Sequence, residues 1–212
     1  MDRKSHWEKV YQTKEPGEVG WTQETPAPSL KMIRKLDVPK TAAIIDIGGG
    51  DSKLTEYLLD EGYTDITVLD ISARGVDRAK KRLGNRSGMV KWIVSDIVDF
   101  KPERVYNLWH DRAAFHFLTQ ADQITRYVRI ANQAVSQYLT IGTFSLDGPK
   151  KCSGLDIRQY DESILSKEFS QGFELIDSFR EDHITPSGNA QNFQFCTLKK
   201  ANGGQNPLNN LN

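Results

Sequence analysis

A short apolar run and the glycine-dense turn behind it constrain the fold of this chain more than any other feature. Residues 42–45 are apolar or small, which favours a buried parallel strand, and the run 46–52 then reads DIGGGDS. Asp70 ends the next apolar run, twenty residues after Gly50. Glycine lets a ligand approach the backbone closely, and a carboxylate can accept hydrogen bonds from both hydroxyls of a ribose. A strand, a glycine turn, a helix and an acidic strand end therefore predict a nucleotide-binding half-fold.

Strand-like and helix-like segments alternate along most of the chain. Five apolar runs are predicted as strands, at about 42–47, 65–70, 89–94, 104–109 and 138–144. Four segments are predicted as helices, at about 52–61, 73–83, 120–136 and 161–169. Two closely spaced strands, at about 173–180 and 191–199, end the pattern. We therefore expect a doubly wound α/β fold with a mostly parallel seven-stranded sheet and an antiparallel edge strand.

The residues before the first strand are predicted to form a helical cover over this sheet. Trp7 and Tyr11 are spaced as neighbours on one helix face, and Ser29 is predicted to cap a second helix. Trp7 and Tyr11 either fold over a ligand or simply bury their helix. Trp21 lies in a loop between two helix-breaking segments, where we expect it to help enclose the ligand.

Length and composition favour a single domain, which we place at residues 1–200, with the cover at 1–40 and the core at 41–200. The Asn- and Gly-rich segment 201–212 is predicted to be disordered. The 28 Lys and Arg residues balance 28 Asp and Glu residues, which argues against a protein that binds nucleic acid. The two cysteines form no disulfide framework and no metal-ligand spacing, so we expect a reducing compartment and no metal.

The apolar runs are too short to cross a membrane, and the charged N-terminal residues are not followed by the apolar segment of a signal peptide. We therefore expect a cytoplasmic protein that does not contact a membrane. Nothing in the sequence demands more than a monomer.

The glycine turn also narrows the choice of nucleotide. Gly48 and Gly50 fit the first two positions of the dinucleotide pattern G-x-G-x-x-G, but Lys53 stands at the third. The third glycine normally allows a helix to pack closely beside a pyrophosphate, so its absence argues against NAD and FAD. The pattern of a P-loop does not occur in the sequence.

The motifs that remain resemble those of the class I S-adenosylmethionine-dependent methyltransferases. The first motif of that family, D-x-G-x-G-x-G, stands here as DIGGGDS, with Ser52 in place of its last glycine. The acid of the second strand matches Asp70 in VLDIS, and the acid of the third strand matches Asp96 in VSDIV. The resemblance covers about residues 40–200. It implies the Rossmann-like methyltransferase fold and S-adenosylmethionine as the cofactor.

The resemblance also assigns parts of the cofactor to particular residues. Gly48 and Gly50 would line its methionine end, Asp70 would hold the ribose hydroxyls, and Asp96 with Ile97 would border the adenine. Asp70 and Asp96 could instead be ordinary acids of strand ends and turns. We add three further residues to the expected cofactor site: Asp46, Ile71 and Trp21.

The residues predicted to follow strand four are the expected acceptor site, because ligands bind beyond the carboxyl ends of such strands. His110 is the candidate catalytic base, since a histidine can take a proton near neutral pH. The alternative is that His110 packs beside a structural ion pair of Asp111 with Arg112. Arg158 could clamp an anionic acceptor. Three residues are expected to contact the acceptor: Trp109, Arg112 and Arg158.

The first functional hypothesis is methyl transfer to a small-molecule acceptor by in-line displacement, because the chain is compact and has an aromatic cover. The second is methylation of a protein lysine, since some small lysine methyltransferases share the same core and the W-x-x-x-Y opening. The third is a protein that binds S-adenosylmethionine without catalysis. The sequence does not identify the acceptor atom, although the absence of a D/N-P-P-Y tetrapeptide argues against methylation of nucleobases and glutamine.

Overall fold

The computed structural model of the chain describes residues 2–201. The predicted disordered segment 201–212 falls, apart from Ala201, outside these residues. The six α-helices within 2–201 are α1 Arg3–Thr13, α2 Ala27–Lys35, α3 Leu54–Asp60, α4 Ala73–Leu83, α5 Ala121–Ala134 and α6 Glu162–Phe169. The nine strands of this region are β1 Ala43–Ile47, β2 Asp65–Asp70, β3 Val90–Val94, β4 Tyr106–Arg112, β5 Val135–Phe144, β6 Lys151–Cys152, β7 Leu155–Asp156, β8 Phe173–Ile184 and β9 Ala190–Lys200.

Seven of the strands form one sheet in the order β3-β2-β1-β4-β5-β9-β8. The pairs among β1 to β5 are parallel, and β9 runs antiparallel to both β5 and β8. The antiparallel strand therefore belongs to the edge hairpin, with β8 outermost. This confirms the expected doubly wound, mostly parallel sheet of the Rossmann-like methyltransferase type.

Both faces of the sheet are covered by helices. Every residue of β1 is buried, and its side chains alternate between the two layers. Ile45 packs in the cluster that holds α5 and α6, whereas Ile44 packs with α2 and α3. A continuous apolar run is typical of a parallel strand that is buried on both faces.

Strand β4 is longer than its predicted span of about 104–109, so the stretch 109–112 lies within the strand and not in the turn behind it. The strand lies between β1 and β5, and its backbone pairs on both sides. His110 and Asp111 are buried there because each has hydrogen-bond partners for its side chain. Their polarity suggested a turn, but partnered polar groups are compatible with a central strand.

The cover contains α1 and α2, as expected, but Ser29 does not cap α2. The helix begins at Ala27, with Pro26 at the N-cap, so Ser29 lies in the first turn. Its hydroxyl is buried and faces His110 instead. The stretch 145–160 contains the small β6–β7 hairpin. No helix within residues 2–201 is long and apolar enough to span a membrane.

Candidate active site

A cavity of about 320 Å³ lies beyond the carboxyl ends of the central strands, beneath the N-terminal cover. Parallel sheets of this topology place their ligands at this edge. Nine of the residues predicted as site residues line the cavity: Trp21, Asp46, Gly48, Asp70, Ile71, Asp96, Ile97, His110 and Arg112. Three predicted site residues do not line it: Gly50, Trp109 and Arg158.

The glycine turn after β1 closes tightly against the neighbouring strand. Gly48 has φ +68°, a conformation that favours glycine, and its N–H donates to the carbonyl of Leu69 at 2.7 Å. A Cβ at Gly50 would lie 2.6 Å from Asp70 Oδ2. Gly50 therefore contributes to the site through Asp70 and not as part of the cavity wall.

Asp70 ends β2 and is only 5% exposed. Its Oδ2 accepts from the N–H of Gly50 at 2.9 Å, and its Oδ1 accepts from the N–H of Ser72 at 2.7 Å. Burial raises the pKa of Asp70 to about 6, against the lowering effect of these two hydrogen bonds. Each carboxylate oxygen keeps a second lone pair, so the group can still accept from a ligand that enters the cavity.

Asp96 and Ile97 form another part of the cavity wall. The Oδ1 of Asp96 accepts from the N–H of Val98 at 3.1 Å, while its Oδ2 accepts from Arg3 Nη2 at 2.8 Å. Arg3 belongs to α1, so this ion pair connects the cover with the sheet. The sequence offered no sign of it, because 93 residues separate the two partners.

A buried chain of hydrogen bonds joins Asp46, His110 and Ser29. Asp46 and His110 lie side by side on β1 and β4, and Asp46 Oδ1 is 2.7 Å from His110 Nδ1. The other ring nitrogen, Nε2, is 2.9 Å from Ser29 Oγ. An ionised carboxylate only accepts, so Nδ1 carries the proton and the Ser29 hydroxyl donates to Nε2. His110 thus faces the cavity with both ring nitrogens already bonded.

Arg112 lies two residues after His110 in β4, so both side chains are on the same face of the sheet. Its Nη1 donates to the carbonyl of Trp21 at 2.9 Å, and its guanidinium lies 4.8 Å from the ring centre of Phe193. Among the residues that the structure describes, its Nε and Nη2 have no hydrogen-bond partner, and both atoms are buried. Burial lowers the pKa of Arg112 to about 10. The ion pair of Arg112 with Asp111, which was the alternative to a catalytic His110, is not formed within residues 2–201.

The alternation of β4 explains why Trp109 is not at the acceptor site. Trp109 and Asp111 face the layer of α5, where Trp109 Nε1 donates to the hydroxyl of Tyr127 at 2.9 Å. Asp111 accepts from that hydroxyl at 2.7 Å and also from backbone N–H groups. Burial raises the pKa of Asp111 to about 6. The prediction of an acceptor contact by Trp109 is therefore wrong.

The prediction that Arg158 contacts the acceptor is also wrong. It bonds to Glu168 at 2.8 Å, and its guanidinium lies 5.0 Å from the ring centre of Tyr160. Its side chain is 39% exposed, so it forms a surface ion pair outside the cavity. The expected clamp on an anionic acceptor is therefore not formed by Arg158 in this cavity.

Aromatic side chains of the cover close the cavity. The ring of Trp7 lies 5.5 Å from that of Trp21 and 5.1 Å from that of Phe117, both edge-on. Tyr11 is buried between Trp21 and α4. Such packing excludes water from a site. Phe117 and the half-buried Cys152 were not predicted to line the cavity, and no spacing in the sequence marks them.

Comparison with known proteins agrees with this geometry. A family model described as a methyltransferase domain matches residues 44–136. The "eEF1A lysine and N-terminal methyltransferase" of Mus musculus is 28% identical over 140 residues, which are 65% of this chain. The chain spans only 20% of that mouse protein. The "EEF1A lysine methyltransferase 2" of Homo sapiens is 23% identical over 206 residues, with 91% of this chain and 83% of that protein covered.

A solved structure shows the same fold with ligands bound. The 1,6-didemethyltoxoflavin-N1-methyltransferase of Burkholderia thailandensis, with bound 1,6-didemethyltoxoflavin and S-adenosylhomocysteine, superposes with a TM-score of 0.73 at 20% identity. The match covers 94% of this chain and 87% of that chain. The family model thus identifies a methyltransferase domain over residues 44–136, and the superposition shows the fold of the S-adenosylmethionine-dependent methyltransferases.

The cavity fits the cofactor of these methyltransferases, S-adenosylmethionine. Asp70 retains lone pairs for hydroxyl groups, and the glycine turn leaves no side chain between its backbone and a ligand. Asp46 Oδ2 is buried and has no partner among residues 2–201, so it can receive a cationic or N–H group. The buried side chain of Ile97 supplies an apolar surface for a base.

Proposed function

We propose that the protein transfers the methyl group of S-adenosylmethionine to a small-molecule acceptor by in-line displacement. The observation that carries this proposal is the closed acceptor end of the cavity, where the cover carrying Trp7 and Trp21 lies over β4. When bound, the cofactor supplies an electrophilic methyl group with a neutral leaving group. The protein then has to align the acceptor and exclude water, and alignment alone contributes up to roughly 7–11 kcal/mol.

The cofactor-binding roles follow from the contacts already described. We assign the ribose hydroxyls to Asp70, the adenine border to Asp96 and Ile97, and the methionine end to Gly48 and its neighbours. Asp46 Oδ2 is the group we assign to the cofactor's ammonium, since an unpartnered carboxylate oxygen needs a donor. Ile71 and Trp21 complete the set of proposed cofactor contacts.

His110 acts in this proposal as a proton acceptor through Ser29. The Ser29 hydroxyl donates to His110 Nε2, and its oxygen can accept a proton from an acceptor hydroxyl or ammonium. The proton on Ser29 then passes to Nε2, and Asp46 stabilises the imidazolium through Nδ1. A thiol acceptor is partly ionised at neutral pH and needs this relay less.

Methylation of a protein lysine is the second candidate, and the two eEF1A lysine methyltransferases are the observation in its favour. Against it, the acceptor end carries the buried cation Arg112, and no carboxylate within residues 2–201 pairs with that cation. A protonated lysine would be repelled there. A protein that binds S-adenosylmethionine without turnover is the remaining alternative.

Transfer of a labelled methyl group separates these candidates. Purified protein is incubated with methyl-labelled S-adenosylmethionine and either a desalted small-molecule extract or a desalted protein fraction. Label in the first fraction alone supports the proposal, and label on protein alone would replace it with lysine methylation. Cofactor binding by calorimetry with no label in either fraction would favour a non-catalytic role. That the protein is cytoplasmic, is a monomer and does not bind nucleic acid stays a prediction.

A further inference from the structure

The guanidinium of Arg112 is a buried cation whose charge is not balanced by the residues around it. Among residues 2–201, Nη1 alone of its nitrogens has a partner, the backbone carbonyl of Trp21. The Nε and Nη2 atoms are buried, and within the described part of the chain they donate to nothing. Buried donors without partners are rare, and for a charged group the cost of leaving them unpaired is larger.

The groups that face Arg112 are neutral or aromatic. They come from five segments: the Trp21 carbonyl from the cover, the Phe193 ring from β9, the thiol of Cys152 from β6, the imidazole of His116, and the imidazole of His183 from β8. No salt bridge of Arg112 is formed within residues 2–201. Burial and the nearby Arg112 hold the pKa of His116 well below its usual value, at about 3, so that ring is neutral.

The geometry of the free donors defines what would balance the charge. Nε and Nη2 lie on the same edge of the planar guanidinium, and their N–H bonds point in the same direction. Two parallel N–H groups match the two oxygens of a carboxylate or of a phosphate group. Because the site is shielded from solvent, such a pair is screened little, and its hydrogen bonds are strong.

We propose that Arg112 binds an oxyanion of the methyl acceptor, a carboxylate or a group of similar shape, through Nε and Nη2. This inference rests on the proposed function and names its substrate class as small organic anions. The cover has to open for the acceptor to enter, since Trp21 closes over Arg112. The arginine then fixes the anionic end of the acceptor, and the nucleophilic atom is left to face the methyl group.

The first experiment measures oxyanion binding without turnover. Protein saturated with S-adenosylhomocysteine is titrated with sodium acetate, malonate and phosphate, with sodium chloride at equal ionic strength as the reference. Thermal unfolding and tryptophan fluorescence report binding, since Trp7 and Trp21 lie in the cavity wall. We expect at least one oxyanion to raise the unfolding temperature saturably, and Arg112→Gln to weaken its apparent binding at least tenfold.

Two further variants keep the test decisive. Arg112→Lys retains the charge but lacks the two parallel N–H groups. It should bind the oxyanion more weakly than the wild type but better than Arg112→Gln. Arg158→Gln removes an arginine outside the cavity and should leave binding unchanged. Absence of a saturable response to all three anions, or an equal response in Arg112→Gln, would overturn the proposal. Arg112→Gln should fold, because it removes an unbalanced buried charge.

The outcome for the anion site and the outcome for the proposed function can be told apart. If S-adenosylhomocysteine does not bind, the methyltransferase assignment of the cavity fails whatever the anions do. If it binds and small molecules become labelled, acceptors carrying a carboxylate should be used with a lower KM than their primary amides. Equal KM values for acid and amide would refute the role of Arg112 and leave the methyl transfer intact.

Discussion

Lowering the pH from 7 to 5 should weaken the binding of S-adenosylmethionine by protonating Asp70. This carboxyl is buried at the end of β2 and accepts from the N–H groups of Gly50 and Ser72. A ligand hydroxyl needs one of its remaining lone pairs, and the ionised form offers these most strongly. The pKa of Asp70 in the free protein is about 6, because burial disfavours the charged form.

The size of the effect follows from that pKa. About 90% of Asp70 is ionised at pH 7 and about 10% at pH 5. If only the ionised form binds the ribose, the Kd should rise roughly tenfold over this interval, which corresponds to about 1.4 kcal/mol. The stability of the free protein depends on pH in the opposite direction. Because the pKa of Asp70 in the folded protein lies above its ordinary value of 3.8, the free energy of unfolding falls as the pH rises from about 4 to 6.

Calorimetric titration of the cofactor at half-unit pH steps measures this dependence, with circular dichroism at each pH to confirm folding. Asp111 has the same pKa of about 6, but it faces the α5 layer and does not line the cavity. Asp111→Asn therefore should keep the pH dependence of the Kd. Asp70→Asn should bind more weakly by about 1–3 kcal/mol at pH 7 and lose most of its dependence on pH.

Two results would refute the reasoning. A Kd that stays constant between pH 7 and 5 would mean that Asp70 is not the ribose acceptor or does not titrate in this interval. A tenfold change of the Kd that persists in Asp70→Asn would show that another group causes the pH dependence. The second result would leave the cofactor assignment standing and remove only the role of this carboxylate.

Three smaller predictions test other parts of the site. Ser29→Ala should destabilise the protein by about 1–3 kcal/mol in chemical denaturation, because it leaves a buried imidazole nitrogen unpaired, and it should slow transfer to hydroxyl acceptors more than to thiols. Gly50→Ala should weaken cofactor binding in calorimetry, since its Cβ would lie 2.6 Å from Asp70 Oδ2; unchanged affinity would contradict the tight turn. Arg3→Gln should release the cover from Asp96 and increase quenching of tryptophan fluorescence by acrylamide, whereas equal quenching would show that this ion pair does not hold the cover.

The parts of the fold that the sequence predicted best are those with strong local patterns. Helix α4 was predicted at 73–83 and lies at Ala73–Leu83, since it has an N-cap serine, an amphipathic face and a glycine at its end. The glycine turn and Asp70 likewise follow from one short stretch of chain. These features depend on neighbours in sequence, and so a reading of the sequence alone can find them.

The parts that were missed depend on contacts between distant segments. Ser29 and His110 are 81 residues apart, and neither residue type predicts the other. The prediction of a turn after residue 109 was wrong for the same reason. The polar residues of β4 have their hydrogen-bond partners on the distant segments β1, α2 and α5. The alternation of β4 was visible in the sequence, however, and would have separated Trp109 from Arg112 once the strand was extended.

Four charged residues of the cavity wall have been assigned to ligands. Asp46, Asp70 and Asp96 lie at the end assigned to a cofactor with a net positive charge, and Arg112 lies at the end assigned to the acceptor. The charged forms of Asp70 and Arg112 are disfavoured by burial in the free protein. Their pKa values of about 6 and about 10 imply that each charge costs up to about 3 kcal/mol of folding free energy at pH 7. A ligand that supplies partners for Asp70 and Arg112 offsets this cost. Binding of both substrates should therefore raise the unfolding temperature more than binding of the cofactor alone.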